Sequence, residues 1–276
     1  MKIALATSLE IPDKLDEDDD FLCESLNRKH IEYKILPWNS PEFINYPQTL
    51  IRSTWDYHKQ CDIFLECMAK VPNLHNPYEV IKWNCDKKYL LELQDIVKII
   101  PMILISPGDN IQEKVSQNKW NKAVLKPRIS LGSLDTIIIR DFNTEEAEKL
   151  LMIPREFILQ PFIEEIQTRG EISIIFIDGT LSHAIRKVPK AGDFRSQPEF
   201  GSNIISFIPT EKYRDNCQKI LSFIQNKFGL NLLYARIDFI DCDEPMLIEL
   251  ELIEPCLYFK YHPSAADILV EALINK

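Results

Sequence analysis

Glycine is scarce in this sequence, with seven residues among 276 against seventeen prolines, so each one marks a turn or a close backbone approach more sharply than usual. Long apolar runs are missing as well. The longest, such as Ile96 to Ile105, are broken by Lys98 and Pro101 and fall short of the roughly 20 residues that a membrane helix requires. After Met1 and Lys2 only Ile3 to Ala6 is apolar, too brief for the central region of a secretory signal, and a cytoplasmic location is expected. The seven cysteines are scattered and form no CxxC pair, which leaves them as reduced thiols and supplies no zinc spacing. Positive charge is in deficit. A net charge of -10 argues against nucleic acid or an anionic membrane as partner, so an anionic ligand must be held by local groups of Lys and Arg.

What is present is a 45% hydrophobic chain long enough for two or three modest domains, without internal repeat or low-complexity stretch. Strands are expected at Lys2 to Ala6, at Ile31 to Leu36 and ending at Leu50 and Ile51, with a helix over Asp18 to Lys29. The acidic run Asp16 to Asp20 reads as helix-start charge and is assigned no site. A helix over Trp83 to Leu93, entered through Asn84, carries Lys87 and Lys88 in its first turns. Further strands are expected at Ala123 to Pro127, Ile137 to Arg140 and Ile158 to Phe162, with a helix opened by Asn143 and Glu146. A hairpin turns through Asp178 and Gly179, a helix covers Tyr213 to Phe228, a strand pair follows, and a last helix has Pro263 in its first turn. The class is α/β.

Three groups of residues carry chemistry. The loop Arg52, Ser53, Thr54, Trp55, Asp56, Tyr57 and His58 follows a strand, where open α/β sheets bind ligands, although Trp55 and Tyr57 equally suit a packed domain interface. Alternation along Tyr234 to Phe239 puts Arg236 and Asp238 on one strand face, and on the return strand Glu249 and Glu251 share a face. If Ile240 pairs with Leu247, Asp238 lies across from Glu249. The three carboxylates then repel unless a hard divalent cation compensates them, whereas a one-residue slip makes the hairpin an ordinary solvated one. Arg186, Lys187, Lys190 and Arg195, interleaved with Gly192 and Gln197, suit phosphate or carboxylate recognition or form a solvated basic loop. Lys126, at a strand end, is costly to bury without an anion.

The order Lys87, Lys126 in VLKP, LQPFIEE, a GE before a strand and DG turn, RIDF and IELELIEP resembles the ATP-grasp superfamily over nearly the whole chain. Within it the chain is similar to the glutathione synthetase and ribosomal-protein glutamate ligase group. The strings RSTWDYH, NPYEVIKWNCDKKYLLEL, QPF, SHAIRK and IELELIEP look closest to the branch of the ring-closing ligase of D-cycloserine biosynthesis. The resemblance implies an ATP-grasp fold behind an N-terminal Rossmann-like domain, with units at 1–86, 87–159 and 160–276. It implies that Lys87 and Lys126 contact ATP phosphates, together with Lys187, that Gln160, Pro161, Phe162 and Ile163 form the adenine-reading hinge, and that Glu164 or Glu171 holds the ribose. Asp238, Glu249 and Glu251 match the ligands of two Mg2+ ions, with Mn2+ as the alternative, and Arg236 and Arg195 stabilise the transferring phosphoryl group.

The implied activity is a Mg-dependent ligase that activates a carboxylate as an acyl phosphate and joins it to an amine-type nucleophile, within one molecule or between two. Its substrates are small molecules or short peptides, and homodimers are common among such ligases. A small-molecule kinase and a nucleotide-binding module without turnover are the rival readings. The stretch Arg128 to Asp135 departs from the family's glycine-rich phosphate loop, having only Gly132. The loop Arg52 to His58 is the candidate acceptor surface.

Overall fold

A computed structural model describes residues 2–140, 144–196 and 200–276; the expected helix cap Asn143 and Gln197 of the basic loop lie outside the described residues. The first sheet is parallel, in the order β2-β1-β3-β4, from β1 (Lys2–Thr7), β2 (Glu32–Pro37), β3 (Gln48–Ser53) and β4 (Leu74–His75). Helices α1 (Asp20–Arg28) and α2 (Cys61–Met68) connect its strands. Strand β3 runs two residues further than expected, so Arg52 and Ser53 belong to the strand and not to a loop.

Helix α3 (Tyr78–Asn84) ends where a helix was expected to begin. Asn84 is not a cap; Asp86 accepts from the Lys88 N–H and starts a 3-10 turn, Lys87–Tyr89, that leads into α4 (Leu90–Leu93). The reason is that the Asn84 amide is engaged elsewhere, on a strand of the third sheet.

The second sheet, β5-β8-β6-β7, is antiparallel and comprises β5 (Ile103–Ile105), β6 (Lys122–Pro127), β7 (Ile137–Arg140) and β8 (Phe157–Pro161). With α5 (Ile111–Gln117) and α6 (Glu145–Leu151) it encloses a core of its own around Leu125, Ile139, Phe157 and Leu159. Both β5 and α5 are absent from the sequence expectations.

The third sheet is antiparallel, in the order β11-β10-β9-β12-β13. It follows the short α7 (Glu165–Thr168) and is built from β9 (Glu171–Ile177), β10 (Thr180–Val188), β11 (Asn203–Ser206), β12 (Tyr234–Ile240) and β13 (Met246–Glu251). One of its faces, with Ile174, Phe176, Ile237 and Leu250, packs on α8 (Glu211–Phe228) through Cys217, Ile220 and Ile224. The other face, with Ile175, Ile177, Ile185 and Tyr234, shares a core with Ile3, Leu5 and Leu50 of the first sheet, α1, and α9 (Ser264–Ile274). Each fully buried aliphatic side chain there contributes about 2 kcal/mol. The first and third sheets are therefore joined by a common core, whereas the second sheet keeps a separate one.

Candidate active site

On the third sheet the functional residues gather on the face that also meets the first sheet. Register places Asp238 beside Ser173 on one side and Glu249 on the other, Arg236 beside Glu251, and Lys187 beside Glu171. The expected Asp238–Glu249 pairing is present, but Ile240 pairs with Met246 and not with Leu247. A bulge between Asp238 and Phe239 absorbs the extra residue, Ile248, and the carboxylates keep their common face.

These carboxylates are neutralised by cations. The Arg236 guanidinium donates to Asp238 from Nε at 3.1 Å and Nη2 at 2.9 Å, and it also pairs with Glu251. Lys87 Nζ lies 3.0 Å from Glu249 Oε1 and donates to the Ser130 carbonyl at 2.6 Å. Burial alone would raise Asp238 and Glu249, but Arg236 and Lys187 hold the first, and Lys87 and Lys126 the second, below the usual carboxylate range. Glu251 differs: burial pushes it up to about 7, with Glu249 and Asp238 adding and Arg236 opposing.

Lys126 projects from β6 of the second sheet toward this cluster. It is half-buried and, among the described residues, has no hydrogen bond or ion pair; burial pushes its pKa down to about 8, with Lys87 adding to the fall and Glu249 opposing it. Lys187, by contrast, is fully paired with Glu171, whose other oxygen accepts from Ser196. That pairing raises the Lys187 pKa against the effect of its burial.

The basic loop does not converge. Alternation along β10 sends Lys187 into the cluster and Arg186 to the other face, where it pairs with Asp241 at 2.8 Å. Arg195 pairs with Asp193 at 2.8 Å and stacks 3.7 Å over Phe200, with no contact to the carboxylate cluster. Of the two ribose candidates, Glu171 is buried in the cluster while Glu164 is exposed against Lys122 at 2.9 Å.

The residues expected to form the hinge lie where the second and third sheets meet. Gln160 and Pro161 are the last two residues of β8; Phe162 and Ile163 join Val124, Ile138, Met246 and Ile248 in an apolar seam between the sheets. Lys122 Nζ sits 3.4 Å above the Phe162 ring. The Arg128 to Asp135 stretch is not simply glycine-poor: Gly132, Ser133 and Asp135 all have positive φ, so two non-glycine residues take the left-handed shape that glycine usually supplies.

The segment Arg52 to His58 divides. Arg52 is buried on Asp19 at 2.9 Å, Ser53 also bonds Asp19, and Asp56 accepts from Trp38 Nε1 and the Leu9 N–H. Tyr57 stacks on Phe64, and Thr54 is fully buried, whereas Trp55 is 44% exposed. Most of this segment is packed inside the N-terminal unit, on Asp19, Trp38 and Phe64; of the two aromatics expected at a domain interface, Tyr57 is buried and Trp55 is exposed. The acidic run is more than helix-start charge, since Asp19 holds Arg52 and Asp18 accepts from the Phe259 and Lys260 amides.

Sequence reading missed the residues that hold β13. As an edge strand it needs partners for its outer backbone groups. Asn84 supplies them by donating to the Leu250 carbonyl at 2.8 Å and accepting from the Leu252 N–H at 2.9 Å, and Tyr89 Oη bonds both polar groups of Leu250. The signal was the polar Asn84 within an otherwise apolar helix face.

Residues 87–260 match the family model of the prokaryotic glutathione synthetase ATP-grasp domain. The chain belongs to the ATP-grasp family. Residues 3–76 match the model of the N-terminal domain of D-cycloserine synthetase DcsG. The chain is 26% identical over 305 aligned positions to the cycloserine biosynthesis protein DcsG of Streptomyces lavendulae, covering 99% of this chain and 98% of that protein. The crystal structure of D-cycloserine synthetase DcsG superposes with a TM-score of 0.87 at 24% identity, covering 100% of this chain and 99% of that one. D-alanine–D-alanine ligase from Bacillus anthracis complexed with ATP superposes with a TM-score of 0.67 at 16% identity, covering 100% and 96%. As an ATP-grasp member the chain is an ATP-dependent carboxylate–amine ligase with an α/β fold.

Among the described residues no three His, Cys, Asp or Glu side chains converge as a ready ligand set for a metal ion. The donor chemistry nevertheless fits Mg2+: three carboxylates on one sheet face, each already compensated by a positive charge that an ion can replace. A surface cavity of 550 Å³ lined by Gln48, His75, Asn76 and Lys276 includes none of these residues.

Proposed function

We propose that this ligase transfers the γ-phosphoryl group of ATP to a substrate carboxylate and couples the resulting acyl phosphate to an amine-type nucleophile. The carrying observation is Lys126, a half-buried ammonium that has no hydrogen bond or ion pair among the described residues and, of negative charges, feels only those of nearby Glu249 and Glu171, directed from the second sheet at a cluster on the third. A phosphate chain placed between Lys126, Lys87 and Lys187 supplies that missing partner. The apolar seam at Phe162 and Ile163 takes the adenine, and Glu171 takes the ribose in preference to Glu164.

Asp238, Glu249 and Glu251 would hold two Mg2+ ions, which neutralise charge on the β and γ phosphates when bound. Arg236, displaced from the carboxylates it now bridges, is then free to approach the developing negative charge. Arg195, paired with Asp193 outside the cluster, is the second candidate for that role. In-line attack by the carboxylate oxygen forms its bond to phosphorus as the bond to ADP breaks. The nucleophile's nitrogen then displaces inorganic phosphate and gives up a proton. The units 1–86, 87–159 and 160–276 serve as acceptor domain, moving lobe and metal-bearing lobe. The separate core of the second sheet suits a lobe that closes over the site and excludes water, which would hydrolyse an acyl phosphate.

The test is hydroxylamine trapping during turnover with a panel of amino acids and short peptides. A ligase releases ADP and yields a hydroxamate. A stable phosphoester instead would mark a small-molecule kinase, and neither product a module without turnover.

A further inference from the structure

The glycine-poor stretch Arg128 to Asp135 is held at both ends. At its start Arg128 lengthens the second sheet by one rung, its N–H donating to the Glu156 carbonyl at 3.0 Å. Its own carbonyl accepts from the Lys87 N–H at 3.0 Å, so the backbone that follows β6 touches the turn bearing Lys87. The Arg128 side chain repeats that contact. Its Nε donates to Asp86 Oδ1 at 3.0 Å, its Nη2 to Asp86 Oδ2 and its Nη1 to Glu156. At the far end Asp135 is paired with Arg155, and in between Ile129 and Leu131 pack on the core that holds Tyr57 and Ile253.

The Arg128–Asp86 pair differs from an ordinary surface bridge. Two guanidinium nitrogens meet two carboxylate oxygens, the forked geometry that makes such a pair strong and directional. The two side chains are 13% and 27% exposed, so water screens them less than a fully exposed pair. Asp86 also accepts from the Lys88 N–H at 2.9 Å, which starts the 3-10 turn that presents Lys87. Burial alone would raise the Asp86 pKa, but Arg128 and the Lys88 amide hold it below the usual carboxylate range, and it stays ionised.

The pair crosses between two bodies. Asp86 follows Asn84, which is bonded to the edge of β13 on the third sheet, whereas Arg128 extends the second sheet with its separate core. It stands next to Lys87 on one side and two residues from Lys126 on the other.

We infer that Arg128 is a positioning residue: by gripping Asp86 it fixes the second sheet against the Lys87 turn and so presets Lys87 and Lys126 for one phosphate chain. The inference rests on the ligase reading above, which supplies the phosphates, and adds a residue that acts through Asp86 and Lys87 and not on the nucleotide itself. Ion pairs here do by anchoring what glycines would do by freedom, and such preorganisation shows in the grip on phosphate, not in the adenine contact.

The experiment uses the full chain and two ligands. The affinity of MgAMPPNP, a non-hydrolysable ATP analogue, is measured by calorimetry, and that of adenosine by its displacement of MgAMPPNP. Arg128→Met should weaken MgAMPPNP tenfold or more and leave adenosine within twofold of wild type. Asp86→Asn, which keeps the turn's acceptor and removes the charge, should weaken MgAMPPNP as well. The double variant should lose no more than threefold beyond Arg128→Met, because the same link is broken in all three. Arg128→Lys, with the charge but not the fork, should fall between wild type and Arg128→Met. MgAMPPNP affinity within threefold of wild type in Arg128→Met, additive losses in the double variant, or adenosine affinity that falls in step would each overturn the assignment. Failure of both Arg128→Met and Arg128→Lys to fold would overturn it too, by making the pair a support of the fold. Failure of wild type to bind MgAMPPNP would instead overturn the ligase site itself, so the two failures are distinct.

Discussion

Lys87 Nζ lies 3.0 Å from Glu249 Oε1 while donating to the Ser130 carbonyl, so one ammonium group ties the carboxylate strand to the stretch that follows β6. In the proposed mechanism a phosphate anion arriving at this point would compete with Glu249 for Lys87 and release the carboxylate for a cation.

Glu249→Gln should therefore abolish Mg-dependent ADP release, by a factor of about a hundred or more, as expected when a charge-stabilising group of a phosphoryl-transfer site is removed. A coupled ADP assay across a Mg2+ titration checks it. Turnover within a few-fold of wild type would remove Glu249 from the metal set.

Lys126 gives a pH signature. Its pKa is held down at about 8 in the free protein, and bound phosphate should raise it. Nucleotide affinity should fall as pH rises through 8, and binding at pH 8 should take up about half a proton. Calorimetry in two buffers of different ionisation enthalpy measures the uptake. The sign for folding is opposite. Because the folded pKa lies below the unfolded one, the unfolded chain binds more protons from about pH 8 up to the ordinary lysine range, and stability of the free protein rises across that window. Lys126→Met should remove both effects.

Lys187 and Glu171 form a nearly dry pair, 4% and 9% exposed at their side chains. Lys187→Met alone strands a buried carboxylate and should cost about 3–5 kcal/mol, whereas adding Glu171→Leu should recover most of it. Urea denaturation of both variants decides this; equal losses would mean that the pair is not coupled.

Gly170 sits at φ +89°, and a Cβ built on it would lie 2.3 Å from the Lys187 carbonyl oxygen. Gly170→Ala must push β10 away from β9 and should destabilise the fold by about 2 kcal/mol or more while impairing nucleotide binding. Thermal melting with and without MgADP reads both.

Asn84→Ala removes two hydrogen bonds from the outer edge of β13. The loss should be about 2 kcal/mol, concentrated there, because the Leu250 carbonyl and Leu252 amide would lose that partner. Hydrogen exchange should show faster exchange at Leu252 than at buried amides of β9.

The sequence alone determined the elements whose cause is local. Strict alternation put Arg236, Asp238, Glu249 and Glu251 on one face, and a bulge moved Ile240 without changing that result. The Asp178–Gly179 turn and the helix ending before Gly229 were legible for the same reason. What depends on a distant partner was not legible. Asn84 looks like a helix cap until β13 is beside it, Arg52 looks like a loop residue until β3 takes it in and Asp19 buries it, and the pairing of Arg195 with Asp193 is invisible in the sequence. Short β5 and β11 carry too little pattern to stand out, and exist because the neighbouring strands β8 and β10 offer them hydrogen bonds. Tertiary structure alone decided which charges are paired and which, like Lys126, have no hydrogen bond or ion pair among the described residues, because those pairings join strands far apart in the sequence.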